Sequence, residues 1–273
     1  MKWTPEAEAL LKRVPFFVRK RVKREVEKWL SAQGKEIVTE EDLLRAKEVL
    51  RGKAAEAQEG FAVEACFGGS GCANALTDSK KLLSEIEKIL KDAGITEFLK
   101  SKVGGALKHH HVFRVGLSEC PNACSQIHIK DFAICGRILL EVEPGLCSFC
   151  ESCLEVCEEE AIKLTDTGPV VDEERCVACG ACTRICPTGA LREVGRGYRI
   201  LVGGKLGRRP RLATELVAFT NAKEVLAILQ KILHIYKKEN QKGERLGTII
   251  ERMGFEKFKK MMSSILQKEG LKT

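Results

Sequence analysis

At 273 residues, 44% of them hydrophobic, the chain has material for one large domain or two modest ones, and its composition excludes a fibre or a disordered segment. No run approaches the roughly 18 apolar residues of a membrane span, and Met1-Lys2-Trp3-Thr4-Pro5 is not an export signal, so a cytoplasmic protein is expected. The net charge of +8 treats cysteine as neutral, but thirteen cysteines stand at metal-ligand spacings; a four-thiolate cluster carries roughly −2, which removes most of the excess and, with no aromatic-and-basic platform in view, the case for nucleic acid.

In chain order, residues 1–55 read as a helical module. Thr4 caps a first helix with Pro5 at its first position and Glu6 and Glu8 in its first turn. Pro15 opens a second, where Val18, Val22, Val26, Trp29 and Leu30 make an apolar stripe, Arg19, Lys20, Arg21, Lys23 and Arg24 a solvated basic face, and Gly34 the stop. Thr39 and Asp42 form a capping box for a third, carrying Leu43, Leu44, Val49 and Leu50. A polar, alanine-rich linker is expected around 53–59. Beyond it, 60–66, 112–117, 127–134 and 198–204 read as strands, and 78–91, 221–237 and 244–267 as helices. Such a mixture predicts an α+β sheet domain.

An internal repeat carries the strongest chemical signal. Cys147, Cys150, Cys153 and Cys157 recur 29 residues later as Cys176, Cys179, Cys182 and Cys186, and Ala161-Ile162 recurs as Ala190-Leu191. Each half is C-x2-C-x2-C-x3-C, the bacterial ferredoxin run, in which three close cysteines grip one 4Fe-4S cube and the fourth crosses to the other. By that rule Cys147, Cys150, Cys153 and Cys186 bind one cluster and Cys176, Cys179, Cys182 and Cys157 the second; paired, crossed spacing of this kind is not that of a zinc site. Cys66-x5-Cys72 and Cys120-x3-Cys124 supply a third set of four, with Gly68, Gly69 and Gly71 allowing close backbone approach to a cube. The thirteenth, Cys135, has no partner pattern and reads as a small buried residue.

The segments ACFGGSGCANAL and SECPNACSQIHIKDFAICG resemble the sulfite and nitrite reductase family, as do GYRILVGGKLGRRPRLA (197–213) and GERLGTIIERMGFEKF (243–258). The resemblance covers about residues 60–270, with the ferredoxin-like insert placed as in dissimilatory-type enzymes. It implies a sulfite/nitrite reductase-like α/β sheet domain at 56–143 and 191–273, a two-cluster insert at 144–190, and three 4Fe-4S clusters, with Cys124 also bridging to the iron of sirohaem. It further implies reduction of a small oxyanion such as sulfite or nitrite, with electrons from a donor protein. Sirohaem carries many carboxylates, so Lys205, Arg208, Arg209 and Arg211 become its expected partners. Arg114 stands where the family usually has one of two lysines; the other falls near Val112, and Lys108 and His109 to His111 are expected to compensate, which makes Arg114, Lys108 and His111 the catalytic candidates.

The first fifty residues, with WTPEAE, VPFFVR and AKE, are similar instead to a small C-terminal module of dark-operative protochlorophyllide reductase. Relatives in the sulfite and nitrite reductase family carry a further ferredoxin-like half ahead of the first cysteine pair, where this sequence has the helical module. The resemblance therefore leaves three expectations open: an oligomer or partner subunit that completes the cavity, an unconventional active site, or an electron-transfer subunit without haem.

Overall fold

The computed structural model describes residues 1–56 and 58–266. They form two compact units, one of Met1–Gln58 with Gly105–Lys108, the other of Glu59–Gly104 with the residues from His109 onward.

In the first unit, β1 (Lys2–Trp3) pairs in parallel with β2 (Ile37–Val38), and α1 (Pro5–Lys12), α2 (Phe16–Ser31) and α3 (Glu40–Glu56) pack on one another. Thr4 Oγ1 accepts the Ala7 N–H at 3.3 Å, and Thr39 and Asp42 exchange hydrogen bonds as a capping box. Ala7, Leu11, Val26, Leu30, Val38, Leu43 and Ala46 make the core, with Val22 and Trp29 at its margin. Leu44 stays outside it. On α2, Phe16 and Phe17 are 81% and 75% exposed, beside exposed Lys20, Arg21 and Arg24. The linker expected around 53–59 begins late, because α3 continues to Glu56 through Ala54 and Ala55, both strong helix formers; residue 57 lies outside the described residues.

The second unit runs β3 (Phe61–Ala65), α4 (Lys80–Asp92), α5 (Ile95–Val103), β4 (Phe113–Ser118), β5 (Phe132–Val142), α6 (Ser152–Glu155), β6 (Ile162–Thr165), β7 (Gly168–Val171), α7 (Ala181–Ile185), β8 (Leu191–Val202), β9 (Thr214–Thr220), α8 (Ala222–Glu239), α9 (Leu246–Met253) and α10 (Phe255–Leu266). Its main sheet has the order β3-β4-β5-β8-β9, parallel across the first three strands and antiparallel thereafter, while β6 and β7 form a separate hairpin. Alternation assigns the two faces. Phe113, Val115 and Leu117 of β4 are buried on the helical side, the Phe113 ring 5.1 Å from that of Tyr236 on α8. Arg114, Gly116 and Ser118 therefore occupy the opposite face.

The strand expected at 127–134 starts only at Phe132. Residues 127–129 form a short 3-10 turn, and Asp131 is pinned inward by the N–H groups of Arg114 and Leu246 and by the Arg245 guanidinium. β8 begins at Leu191 rather than 198, because β5 is long enough to pair with it as far as Val142. The helix expected over 244–267 is two helices, broken where Gly254 takes φ +87°; residue 267 lies outside the described residues. β9 and α5 were not expected from the sequence.

Candidate metal centres

The two halves of the cysteine repeat share a backbone as well as a spacing. Phe149, Glu151 and Glu160 have φ of 57°, 62° and 48°, and their counterparts 29 residues on, Ala178, Gly180 and Gly189, have 56°, 73° and 74°. Left-handed backbone is unfavourable for residues other than glycine, so its repetition marks one local geometry built into both halves. It turns N–H groups onto sulfur: Phe149 donates to Cys147 Sγ and Ala161 to Cys157 Sγ, each at 3.3 Å.

The sulfurs group across the repeat. Cys147, Cys150, Cys153 and Cys186 line one hollow, and Cys157, Cys176, Cys179 and Cys182 another with Ile138, Leu140 and Ile162. Burial pushes the Cys182 thiol up to about 11, and Cys176, Cys179 and Cys157 push it the same way. Four thiols crowded in an apolar hollow ionise readily only around a cation. Among the described residues no three His, Cys, Asp or Glu side chains converge as a site for a single ion, while sulfurs around a cube bind different irons and stand wider apart.

The third set lies at the carboxyl ends of two parallel strands, a common ligand position in such sheets. Cys66 follows β3, its N–H bonded to Leu117 O at 3.0 Å, and Cys120 comes two residues after β4. Burial raises the Cys120 thiol, against the Asn122 N–H, and Cys124, Cys66 and Cys72 add to the rise. Cys124 is the exposed member of the set, and Asn122 Nδ2 donates to its sulfur at 3.2 Å. Cys120 also packs with Leu76, Ile138 and Ala178, the last from the second half of the repeat, and the Ile138 N–H donates to Ala178 O at 3.1 Å. Leu140 touches both that cluster and the one containing Cys153 and Leu191. The three cysteine sets are thus strung along β5. Cys135 is buried, and its thiol is pushed up to about 12 by burial.

On the non-helical face, Arg114 Nη1 meets Glu64 Oε1 at 3.0 Å, and the buried Lys130 Nζ meets Glu64 Oε2 at 2.6 Å. Lys130 lies over Gly116, where a Cβ would stand 2.6 Å from its Cγ. Lys130, more than Arg114, holds the Glu64 carboxyl below the usual range. The imidazole at Arg114 belongs to His109, with Nε2 2.6 Å from Nη2; the cation, with burial and Arg245, keeps His109 below the ordinary histidine range. His111 stacks edge-on against His110 in the same turn, and Lys108 immediately precedes that turn in sequence. The sequence reading missed Glu64 and Lys130, and from the histidine run it singled out His111 rather than His109; the visible signal was the Lys130-Asp131 pair interrupting an apolar run.

The family described as nitrite and sulphite reductase 4Fe-4S domain matches residues 57–269. The chain belongs to this family. A second family, the proto-chlorophyllide reductase 57 kD subunit, matches residues 3–47. The coenzyme F420-dependent sulfite reductase of Methanocaldococcus jannaschii is 30% identical over 207 residues, 75% of this chain and 31% of that protein. A subunit of the light-independent protochlorophyllide reductase of Roseiflexus castenholzii is 52% identical over 50 residues, 18% of this chain and 9% of the relative. The crystal structure of dissimilatory sulfite reductase I shares the fold over 77% of this chain and 52% of its own, with a TM-score of 0.50 and 21% identity. The chain spans about a third of the length of the archaeal sulfite reductase. It is a sulfite reductase-like iron–sulfur protein, and no helix among its described residues is long and apolar enough to cross a membrane.

Within this nitrite and sulphite reductase domain, the four cations expected at a sirohaem divide into two kinds. Lys205 is buried, with Nζ 2.6 Å from Glu251 Oε2 and 3.0 Å from Thr248 Oγ1; Arg211 donates to Gly203 O at 2.7 Å and to Thr214 Oγ1 at 2.8 Å. Both hold the loop. Arg208 and Arg209 are exposed, flanked by Leu206 and Leu212, which are 63% and 69% exposed. The loop adjoins that of Cys124: the Ala213 N–H donates to His128 O at 2.7 Å, and Ala123 and Ala213 pack on one cluster with Ile127 and Cys135.

Proposed function

We propose that this chain is a three-cluster unit of a sirohaem-dependent reductase acting on sulfite, nitrite or a related small oxyanion. The observation that carries the reading is the succession of cysteine sets along β5, from Cys147 with Cys186, through Cys176 with Cys157, to the set ending in Cys124. Ile138 and Leu140 pack between the sets and keep the intervals apolar. Electrons from a donor protein enter at the exposed Cys150 and Phe149 edge and leave at Cys124.

The residues around Cys124 fit sirohaem in kind: an exposed sulfur with a free valence, two exposed guanidinium groups for carboxylates, and exposed Leu206, Leu212 and Phe67 for an apolar ring. When bound, that group supplies an iron on which an anion is reduced. Arg114 neutralises the incoming anion, Glu64 and Lys130 hold Arg114 in place, and His109, kept neutral by its cationic neighbour, accepts the Nη2 hydrogen bond that aims it.

A second reading, an electron-transfer subunit without haem, is favoured by the internal commitment of Lys205 and Arg211, which leaves two of the four expected cations for the cofactor. The absorption spectrum of the anaerobically purified native assembly decides between them. A Soret band with a strong red band is expected; cluster absorption alone, with no uptake of added sirohaem, would leave electron transfer as the function.

A further inference from the structure

Glu119 is a charged side chain that the relay and the anion site leave unexplained. It is 3% exposed, immediately precedes Cys120, and faces the other cysteine pair. Its Cβ and Cγ lie over Gly68, so close that a Cβ on that glycine would stand 2.7 and 2.6 Å from them, and its own N–H donates to Cys66 Sγ at 3.3 Å. Beyond Cys72 the chain returns to it: the Leu76 N–H donates to Glu119 O at 2.9 Å, the Thr77 hydroxyl donates to the carboxylate, and Ser79 gives it both its N–H at 3.0 Å and its hydroxyl at 2.9 Å. The Tyr198 hydroxyl, 3.0 Å from Ser79 Oγ, extends the chain of donors into β8. Among the described residues every group that hydrogen-bonds to the carboxylate oxygens donates, and no cation pairs with them.

We propose that Glu119 sets the reduction potential of the cluster held by Cys66, Cys72, Cys120 and Cys124, as a fixed negative charge built between the two loops that grip it. The proposal rests on the reading that these four cysteines bind a cube. Reduction adds one negative charge to an already anionic cluster. A carboxylate buried beside it, in a medium that screens poorly, raises the energy of the reduced form more than that of the oxidised form, and so lowers the potential. Among the described residues the carboxylates around the two clusters of the repeat, Glu159 at one hollow and Glu151 at the other with Glu155 and Glu158 nearby, are exposed to solvent, which screens them. The cluster nearest the reacting anion is thereby made a stronger reductant than its ligands alone would make it.

The test is a potentiometric titration of anaerobic protein at fixed pH, followed by paramagnetic resonance, on wild type and Glu119→Gln. Iron analysis of wild type comes first: about twelve irons per chain establish the three-cluster reading, and about eight would overturn that reading and this proposal with it, independently of any potential. Given twelve, Glu119→Gln retains side-chain shape and acceptor oxygen while removing the charge. One of three midpoints should move to more positive potential, with iron content and the other two midpoints unchanged. Three unmoved midpoints at full iron, or an equal shift of all three, would overturn the proposal. Should the Gln variant lose four irons, Thr77→Val decides: it leaves the carboxylate in place with one donor fewer, so the same midpoint should move to more negative potential, and no movement would overturn the proposal.

Discussion

Cys135 shows how a cysteine count misleads until burial is known. Its Sγ lies 3.4 Å from Cys120 O as a donor and is buried with Ile127, Ala133 and Leu201, the setting of a small packing residue. Cys135→Ala should retain all the iron of the wild type and lower stability by about 1 kcal/mol, the scale of a small buried truncation, measured by anaerobic denaturant unfolding. The opposite result is expected at the two crossing ligands. Cys186 shares its hollow with Cys147, Cys150 and Cys153, and Cys157 shares its own with the later triplet. Paramagnetic resonance of Cys157→Ser should show damage to the cluster of Cys176, Cys179 and Cys182, and Cys186→Ser damage to the other; loss of the cluster in each residue's own half would refute crossed ligation.

At the scale of the element, the repeat was legible because its spacing is periodic, but its backbone was not. Gly180 and Gly189 announce left-handed turns, whereas Phe149, Glu151 and Glu160 adopt the same conformation without any glycine to signal it. Glu160→Gly gives the first half what the second already has. The Glu160 to Arg175 pair it removes is surface-exposed and contributes little, so the variant should gain roughly 0.5–1 kcal/mol by the same unfolding measurement. The strands β3 and β4 and the helix α8 were legible from their apolar patterning; β9 and the start of β5 were not, the latter because it depends on a contact distant in sequence. Asp131 accepts the Arg114 N–H at 2.7 Å, the Leu246 N–H at 3.0 Å and Arg245 Nε at 2.7 Å, tying β4 to the first turn of α9. Asp131→Ala leaves the Arg245 guanidinium and two N–H groups without that partner, so a loss of about 3–5 kcal/mol is expected, with the midpoint of denaturation as the readout.

Across the whole molecule, the grouping of the cysteines was readable from their periodic spacing, while the exposure of the cations was not, because a loop rich in Lys and Arg looks the same whether its charges face inward or outward. Lys205 and Arg211 are bound within the protein, whereas Arg208 and Arg209 are turned to solvent, which makes the proposed cofactor role divisible by experiment. Replacing Arg208 and Arg209 together with Ala removes two exposed guanidinium groups, so fold and cluster iron should remain at wild-type levels. If the loop meets the carboxylates of sirohaem, the same double variant should lower haem affinity by about tenfold to a hundredfold or more, and occupancy with it, since even one charge-assisted hydrogen bond contributes about 1.5–3 kcal/mol where water is excluded. Lys205→Ala should behave differently, weakening the packing of the loop on α9 and with it the stability of the sheet unit. Phe67, Leu206 and Leu212 are each more than 60% exposed, so a macrocycle resting on them would cover apolar surface on one side and leave its other side to be closed by a partner subunit or a second copy. Haem occupancy should therefore be compared in the native assembly, by absorption per cluster iron. Equal occupancy in wild type and the double variant would remove the loop from the cofactor site, and with it the geometric support for reductase chemistry at Cys124.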